Sequence, residues 1–216
     1  MLNSPEIIPS ILTNDPEEVL AEIQMTEGVV ERVQVDVVDG IFAANKTFDI
    51  DLMQDIDTNL KLDFHLITKE PVNWVERCVR GGADRIIGQV EMMSDQLNFV
   101  QKVQEVGALV GLAIDLKTDV SAIDDIMFQD LDVVLVMSVP AGFGGQKFEH
   151  KTIQKIEELK KIRERQKSTY KISVDGGITL DYMDDLVKKG ADEVIIGERL
   201  FKGNLKENLE KFRNVV

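Results

Sequence analysis

The chain has 216 residues, of which 44% are hydrophobic and 30% are charged, so its composition argues against a disordered chain. With 39 acidic and 25 basic side chains, the formal charge of −14 argues against nucleic acid or an anionic membrane as a partner. No apolar run approaches the ~20 residues that span a bilayer, and the single cysteine, Cys78, excludes an intrachain disulfide and predicts a reducing, cytoplasmic location.

Short runs rich in Val and Ile alternate along the chain with longer segments in which apolar residues have helical spacing. We predict strands near 6–12, 31–38, 61–67, 84–90, 108–114, 131–139, 170–175 and 192–197. We predict helices near 16–27, 49–57, 71–80, 95–106, 119–128, 149–166, 179–189 and 205–213. No linker or change in composition divides the chain, which predicts one domain over residues 1–216.

Eight strand-then-helix units predict a parallel sheet covered by helices. An open doubly wound sheet commonly has a GxGxxG turn after its first strand, but here the first strand is followed by LTND. The pattern favours an α/β fold of the (β/α)8 TIM-barrel type. In such barrels the chemistry lies at the carboxyl ends of the strands.

Polar residues interrupt the apolar strands at positions that converge in such a barrel. Ser10 ends the first strand, Gln34 and Asp36 share one face of the second, His65 lies in the third, and Asp175 ends the seventh. A single strand-end aspartate more often caps a neighbouring loop. Four strands with polar ends instead favour a site, because a buried carboxylate needs a hydrogen bond, a proton or a cation.

Glycines follow the last three strands. They lie in GFGG (142–145), in Gly176-Gly177 and at Gly197. Glycine lets backbone N–H groups approach an anion, and phosphate sites in barrels commonly follow the last two strands. The alternative is that these glycines only form tight turns. Three clusters on successive strands favour a phosphate site.

At these residues the sequence resembles the ribulose-phosphate 3-epimerase family, and the resemblance covers nearly the whole barrel. The motifs that carry it are PSIL (9–12), VDVVDGIF (35–42), NKT (45–47), LDFHL (62–66), MSVPAGFGGQKF (137–148) and VDGGI (174–178). The resemblance implies a (β/α)8 fold, interconversion of ribulose 5-phosphate and xylulose 5-phosphate, and a homo-oligomer. It also implies a divalent metal held by two histidines and two aspartates.

The resemblance assigns roles residue by residue. Asp36 and Asp175 match the acid and base and are also metal ligands, and His65 matches a metal-binding histidine that contacts the substrate. The residues that match the substrate and phosphate contacts are Ser10, Met137, Gly142, Phe143, Gly144, Gly145, Gly176, Gly177, Gly197 and Glu198. The sugar phosphate is the expected partner.

Several residues depart from the family pattern. Gln34 replaces the first metal-binding histidine, Glu198 replaces a small serine after Gly197, and Gln89 stands where many members have another histidine. Exchange of an imidazole for an amide oxygen shifts a site from zinc or iron toward manganese or magnesium. Three alternatives remain open: a weaker metal site, metal-free chemistry with His65 and Gln34 binding the oxyanion, or an inactive site.

Epimerisation next to a ketone requires removal of a proton from one face and its return to the other. Two carboxyl groups suffice, one ionised and one protonated at the start. The alternatives are epimerisation of another ketose phosphate, a sugar-phosphate lyase or decarboxylase, and a non-catalytic sugar-phosphate binder. A lyase commonly needs a lysine among its strand-end carboxylates, whereas the third strand offers Asp63 and His65.

Two features concern the surroundings of the site. We expect the Glu198 carboxylate to point outward, where the first turn of a helix favours acidic groups. We expect segment 40–48 to form a mobile loop over the site, with Asn45 in contact with it.

Overall fold

The computed structural model describes residues 4–215, which form a closed barrel of eight parallel strands arranged in chain order. The first strand closes the barrel by pairing with the eighth, with Pro9 opposite Ile196. Helices and short helical turns connect the strands. The predicted TIM barrel is confirmed, while the domain boundaries 1–216 stay a prediction.

All eight strands begin and end within two residues of the predicted bounds. They are β1 (Glu6–Ile11), β2 (Arg32–Val38), β3 (Lys61–Ile67), β4 (Ala83–Gln89), β5 (Leu109–Ile114), β6 (Val133–Met137), β7 (Lys171–Asp175) and β8 (Glu193–Ile196).

Six of the predicted helices contain an α-helix, and one short helix, α6, was not predicted. The α-helices are α1 (Pro16–Thr26), α2 (Val75–Arg80), α3 (Gln96–Glu105), α4 (Thr152–Gln166), α5 (Leu180–Lys189), α6 (Glu198–Phe201) and α7 (Leu205–Arg213). Short 3-10 helices cover Ile50–Asp55, Pro71–Trp74, Val90–Met92, Val120–Ala122 and Met127–Gln129.

Two predicted α-helices are wrong. Segment 49–57 forms only the 3-10 helix Ile50–Asp55, and segment 119–128 forms two separate 3-10 turns. In the second segment the carbonyls of Asp119 and Asp124 close three-residue turns, at 3.0 Å to Ala122 N and 2.8 Å to Met127 N. Aspartate favours such turns over a helix interior. The helical spacing of apolar residues there reports burial, not an α-helix.

Side chains alternate along each strand between the barrel interior and the helices. On β2, Val35 and Val37 join the core beneath the helices. Gln34 and Asp36 consequently point into the barrel, as the alternation predicts. Ile8, Ile87, Ala113, Leu135 and Ile195 form an apolar layer within the barrel.

Within residues 4–215, no helix is both long enough and apolar enough to cross a bilayer.

Candidate active site

The two strand-end aspartates lie in one site at the carboxyl end of the barrel. Asp36 is near the end of β2, and Asp175 is the last residue of β7. Both are buried except for a small area that lines the same cavity. The parallel register places Asp36 opposite His65 of β3. The barrel therefore brings together the polar strand-end residues identified in the sequence.

Gln34 joins the two carboxylates. Its Nε2 donates to Asp36 Oδ1 at 2.9 Å and to Asp175 Oδ2 at 2.8 Å. The side chain is fully buried, and its Oε1 has no hydrogen-bond partner among residues 4–215. An unpartnered buried oxygen costs about 1–3 kcal/mol. The opposite orientation of the amide would direct that oxygen at two carboxylates, so the observed orientation is the better one without a cation.

His65 is hydrogen-bonded on both sides of its ring. Its Nδ1 lies 2.9 Å from Asp36 Oδ1, and its Nε2 lies 3.1 Å from the side-chain amide of Gln89. His65 and Gln34 have no exposed area and lie behind the aspartates, outside the set of residues that line the cavity. Both residues therefore act on the aspartates in this structure, not on the cavity directly.

The two carboxylates share the site without a basic partner. In the part of the chain that the structure describes, no lysine or arginine forms an ion pair with Asp36 or Asp175; their partners are Gln34 and His65. Burial, and then the neighbouring Asp36 carboxylate, raises the pKa of Asp175, against the smaller opposing effects of His65 and Gln34. This carboxyl group can therefore hold a proton at a pH where an exposed aspartate is ionised.

The residues present fit a divalent cation. Asp36, His65 and Asp175 each offer one ligand atom, and these atoms lie within 4.8 Å of one another. Gln34 Oε1 has no partner in the protein without metal, and the amide would have to rotate to offer this oxygen as a fourth ligand, because Nε2 now faces both carboxylates. The four donors would then be one imidazole nitrogen and three oxygens, a set that suits harder ions than zinc.

The aspartates open into a cavity of about 570 Å³ at the carboxyl end of the barrel. This volume suits a small organic ligand. The predicted contact residues that line it, besides the two aspartates, are Ser10, Met137, Gly142, Phe143, Gly144, Gly145, Gly176, Gly177, Gly197 and Glu198. The cavity therefore joins the carboxylate centre to all three glycine clusters.

Close packing requires glycine at two of these positions. Gly177 has φ +62°, and a Cβ there would lie 2.4 Å from the backbone nitrogen of Phe148. Gly142 has φ +98°, and a Cβ there would lie 2.6 Å from Ala43 Cβ. Ser138, which the sequence did not single out, donates from N and Oγ to Asp175 O at 2.7 and 2.8 Å. These contacts fix the turn that follows Asp175 at the end of β7.

Glu198 lies at the rim of the cavity and is paired with a lysine. Its Oε1 is 2.6 Å from Lys202 Nζ, and about two thirds of each side chain is exposed. The hydrogen bond from Lys202 lowers the pKa of Glu198. Both side chains line the cavity, so the ion pair lies at its rim, and the outward orientation of the carboxylate stays a prediction. Phe143 is also half exposed at the rim.

Segment 40–48 folds back over the end of β2. Asp39 and Lys46 form an antiparallel bridge, and Asn45 Nδ2 donates to Gly142 O at 2.7 Å. The expected contact of Asn45 with the site is thus a hydrogen bond to the GFGG segment. The loop and the glycine segment are held together at the cavity mouth.

Comparison with known proteins identifies the family. The profile of the Ribulose-phosphate 3 epimerase family matches residues 6–201. The chain belongs to the ribulose-phosphate 3-epimerase family. It is 33% identical over 198 residues to the ribulose-phosphate 3-epimerase of Aquifex aeolicus, covering 90% of this chain and 89% of that one. The corresponding protein of Bacillus subtilis is 32% identical over 200 residues, covering 91% and 92%. The protein is therefore an isomerase of the epimerase class.

Solved structures share the barrel at much lower identity. A variant of the tryptophan synthase alpha-subunit from Pyrococcus furiosus has a TM-score of 0.70 at 15% identity, covering 99% of this chain and 100% of that one. The 3-hexulose-6-phosphate synthase from Salmonella typhimurium also has a TM-score of 0.70, at 14% identity and 97% coverage of both chains. These similarities support the fold and nothing more specific.

Asp63, weighed in the sequence as a strand-end carboxylate, lies elsewhere. It is paired with Arg32 and Arg85 at the other end of the barrel interior. The lyase alternative, which needs a lysine among strand-end carboxylates, therefore gains no support from the third strand.

Proposed function

We propose that the protein interconverts ribulose 5-phosphate and xylulose 5-phosphate by proton transfer at C3. The observation that carries this proposal is the convergence of Asp36 and Asp175 on one cavity, with one amide nitrogen within 2.9 Å of both carboxylates. Membership in the epimerase family gives the reaction class. The sugar phosphate is assigned by the glycine segments that line the same cavity.

The two aspartates have different starting roles. Asp175 is the better proton donor, because its burial favours the protonated form. Asp36 is then the base that removes the C3 proton, and Asp175 returns a proton to the opposite face of the enediolate. The reverse reaction exchanges these roles. One proton shared by the pair is enough for both directions, and the two groups titrate together.

Charge develops on the substrate oxygen in the enediolate. When bound, a divalent cation would stabilise that charge as a Lewis acid, with Asp36, His65, Asp175 and the Oε1 of Gln34 as the residues that hold it. Manganese or magnesium is the proposed ion. The metal-free alternative is weaker, because Gln34 directs its donors at the carboxylates and neither Gln34 nor His65 lines the cavity.

The glycine segments are proposed to bind the phosphate. Gly176-Gly177 directly follows Asp175 at the end of β7, and Gly142–Gly145 lines the same cavity. Backbone N–H groups of glycine segments can bind an anion, and Arg199 and Lys202 add positive charge to a cavity that several carboxylates also line. Ser10 lies beside Gly197, where a Cβ would be 3.1 Å from its hydroxyl oxygen. The serine is therefore placed to contact the substrate at the same end.

Incorporation of solvent deuterium at C3 of ribulose 5-phosphate tests the reaction. Asp36→Asn and Asp175→Asn should each lower the exchange rate by about 10²–10⁴-fold, because each removes a proton-transfer group. Asp124→Asn, at an exposed carboxylate on the β5–β6 connection, is the matched control and should retain full exchange. Full exchange in both site variants would reject the assignment.

Gln34→His tests the metal centre. The histidine should raise zinc affinity by at least about tenfold, because zinc prefers imidazole to an amide oxygen. Calorimetric titration of wild type and variant with Zn²⁺ and Mn²⁺ measures the change, and isotope exchange across the same metals shows whether activity follows. Equal zinc affinity in the two proteins would remove Gln34 from the ligand set.

A second candidate, a non-catalytic sugar-phosphate binder, is favoured by one observation. In the absence of a cation, Gln34 engages both proposed acid-base groups. Tight binding of ribulose 5-phosphate without isotope exchange in any added metal would select this candidate. Exchange with a longer ketose phosphate but not with ribulose 5-phosphate would instead reassign the substrate. A homo-oligomeric state and a cytoplasmic location stay predictions.

A further inference from the structure

A chain of hydrogen bonds leads from the carboxylate centre toward the surface. It runs from Asp36 through His65 and Gln89 to Glu91. His65 and Gln89 are fully buried, whereas Glu91 is exposed. Glu91 is itself held in place, because its Oε1 accepts from Asp115 N at 2.6 Å. The proposed reaction makes no direct use of Gln89 or Glu91.

The orientation of the Gln89 amide is determined by its neighbours. One end of the amide lies 2.8 Å from Glu91 Oε2 and 3.2 Å from Ala113 O, and the other lies 3.1 Å from His65 Nε2. A carboxylate and a carbonyl can only accept hydrogen bonds, so the amide nitrogen faces them. The amide oxygen then faces His65. The reverse orientation would direct that oxygen at two acceptors.

An amide oxygen facing Nε2 requires a hydrogen on Nε2, because the oxygen can only accept. Nδ1 lies 2.9 Å from Asp36 Oδ1, which also can only accept, so in the protein without metal this contact is made by a hydrogen on Nδ1. A bound cation would replace that hydrogen, because Nδ1 belongs to the set of atoms that can hold a cation and Nε2 keeps its own hydrogen for Gln89. A ring whose single hydrogen stayed on Nδ1 could not bind a cation through that nitrogen.

We propose that Gln89, oriented by Glu91, is a positioning residue that keeps a hydrogen on His65 Nε2 and so leaves Nδ1 as the nitrogen that binds a cation. The inference deepens the proposed metal centre, but it does not depend on turnover. Partners that hold the second nitrogen of a metal-binding histidine typically change metal affinity by about 10–100-fold when removed. Glu91 acts one step further out, through the amide that it orients.

The first test uses the wild-type protein without metal. The chain contains two histidines, so ¹⁵N labelling of histidine gives four ring-nitrogen signals. His150, which is exposed, serves as the internal reference for a ring in solvent. We expect a protonated Nε2 in His65. A ring with hydrogen on Nδ1 alone would overturn the proposal, whether or not the protein binds metal or turns over substrate.

The second test measures metal affinity by calorimetry with Mn²⁺ and with Zn²⁺. Gln89→Met keeps the length of the side chain and removes its oxygen, and it should weaken binding by about 10–100-fold. The double variant Gln89→Glu/Glu91→Gln exchanges the two groups, so a carboxylate again accepts from His65 Nε2 while an amide donates to it. This variant should retain wild-type affinity within about threefold, because the acceptor is restored.

The pair of variants separates positioning from packing. If Gln89→Met binds metal as tightly as wild type, Gln89 has no positioning role. If the double variant is as weak as Gln89→Met while its His65 remains protonated on Nε2, the effect comes from packing and the proposal is also wrong. Loss of isotope exchange with metal affinity unchanged would count against the proposed reaction alone.

Discussion

The barrel interior holds two charged clusters, one at each end, and they are built differently. The lower cluster comprises Arg32, Asp63, Arg85, Lys171 and Glu193, near the amino ends of the strands. The upper cluster comprises Gln34, Asp36, His65 and Asp175, near the carboxyl ends. The same strands supply both clusters: β2, β3 and β7 each contribute to the two ends.

In the lower cluster every carboxylate has a basic partner. Asp63 contacts both Arg32 and Arg85, and Glu193 accepts from Arg85 at 2.9 Å and from Lys171 at 2.8 Å. Burial alone would raise the pKa of Glu193, but Arg85 and Lys171 together lower it. Burial raises the pKa of Asp63 to about 6, against the opposing effects of Arg85 and Arg32. Each carboxylate of this cluster nevertheless has a cationic partner without a ligand.

In the upper cluster the two carboxylates have an amide and an imidazole as partners and no lysine or arginine among the residues described. A buried carboxylate without a cation is costly unless it is protonated or bound to a ligand. The presence or absence of arginine and lysine partners therefore separates buried charges that stabilise the barrel from those that can serve a site. The cluster that lacks lysine and arginine partners is the one that can take up a cation.

The largest expected effect is on stability and belongs to the lower cluster. Arg85→Met should lower the free energy of unfolding by about 3–5 kcal/mol, because it leaves two buried carboxylates with fewer partners. Arg77→Met, at a partly exposed arginine paired with Asp49 and Asp51, should lower it by less than about 1 kcal/mol. Urea unfolding followed by circular dichroism measures both. Equal losses would show that the buried cluster is no more important than a surface pair.

A smaller effect of opposite sign is expected in the upper cluster. The pKa of Asp175 is higher in the folded protein than in the unfolded chain. Between these two pKa values the folded state binds more protons than the unfolded state. The free energy of unfolding therefore falls as pH rises through this range. Asp175→Asn has no such loss. The metal-free variant should match wild type near pH 4 and be more stable by about 1–2 kcal/mol at pH 8.

Unfolding of the metal-free proteins in urea from pH 4 to pH 8 tests this dependence. A constant difference between Asp175→Asn and wild type would show that Asp175 is not the group that holds the proton. Asp124→Asn, at an exposed site, should follow the wild-type profile throughout.

The smallest effect is expected at the cavity rim. Glu198→Ser should change the KM for the sugar phosphate by less than about twofold, because the exposed carboxylate is already paired with Lys202. Steady-state kinetics at two ionic strengths measure the change. A KM that falls fivefold or more would place the Glu198 carboxylate next to the phosphate. The rim, like the upper cluster, would then hold a carboxylate whose charge is not balanced by a cation.

The sequence predicted the barrel well because its strands are buried on both faces. Runs such as VVLVM (133–137) have one interpretation once eight of them alternate with helical segments. The β5–β6 connection was mispredicted because Val120, Ile123 and Met127 have helical spacing while aspartates favour turns. In this segment the spacing of apolar residues favours a helix, whereas the aspartates favour turns. Packing against the rest of the barrel decides between the two.

The candidate site was predicted in composition but not in orientation. The polar residues at the strand ends predicted Asp36 and Asp175 as site residues. The glycine clusters predicted residues that line the cavity. The directions of the Gln34 and Gln89 amides depend on atoms from other strands, such as Ala113 O, which a one-dimensional pattern does not specify. The lower cluster was missed because its five charged residues come from five different strands, and pairing between strands is not specified by a one-dimensional pattern.

The alternation of β2 has a consequence for how errors of assembly are rejected. Arg32, Gln34 and Asp36 all face inward, so a shift of β2 by one residue would turn all three toward the helices at once. Such a chain would bury a guanidinium in hydrocarbon and could not remain folded. The ion pairs of Arg32 near the amino ends of the strands favour one alignment of β2. That alignment also places Gln34 and Asp36 correctly near the carboxyl ends.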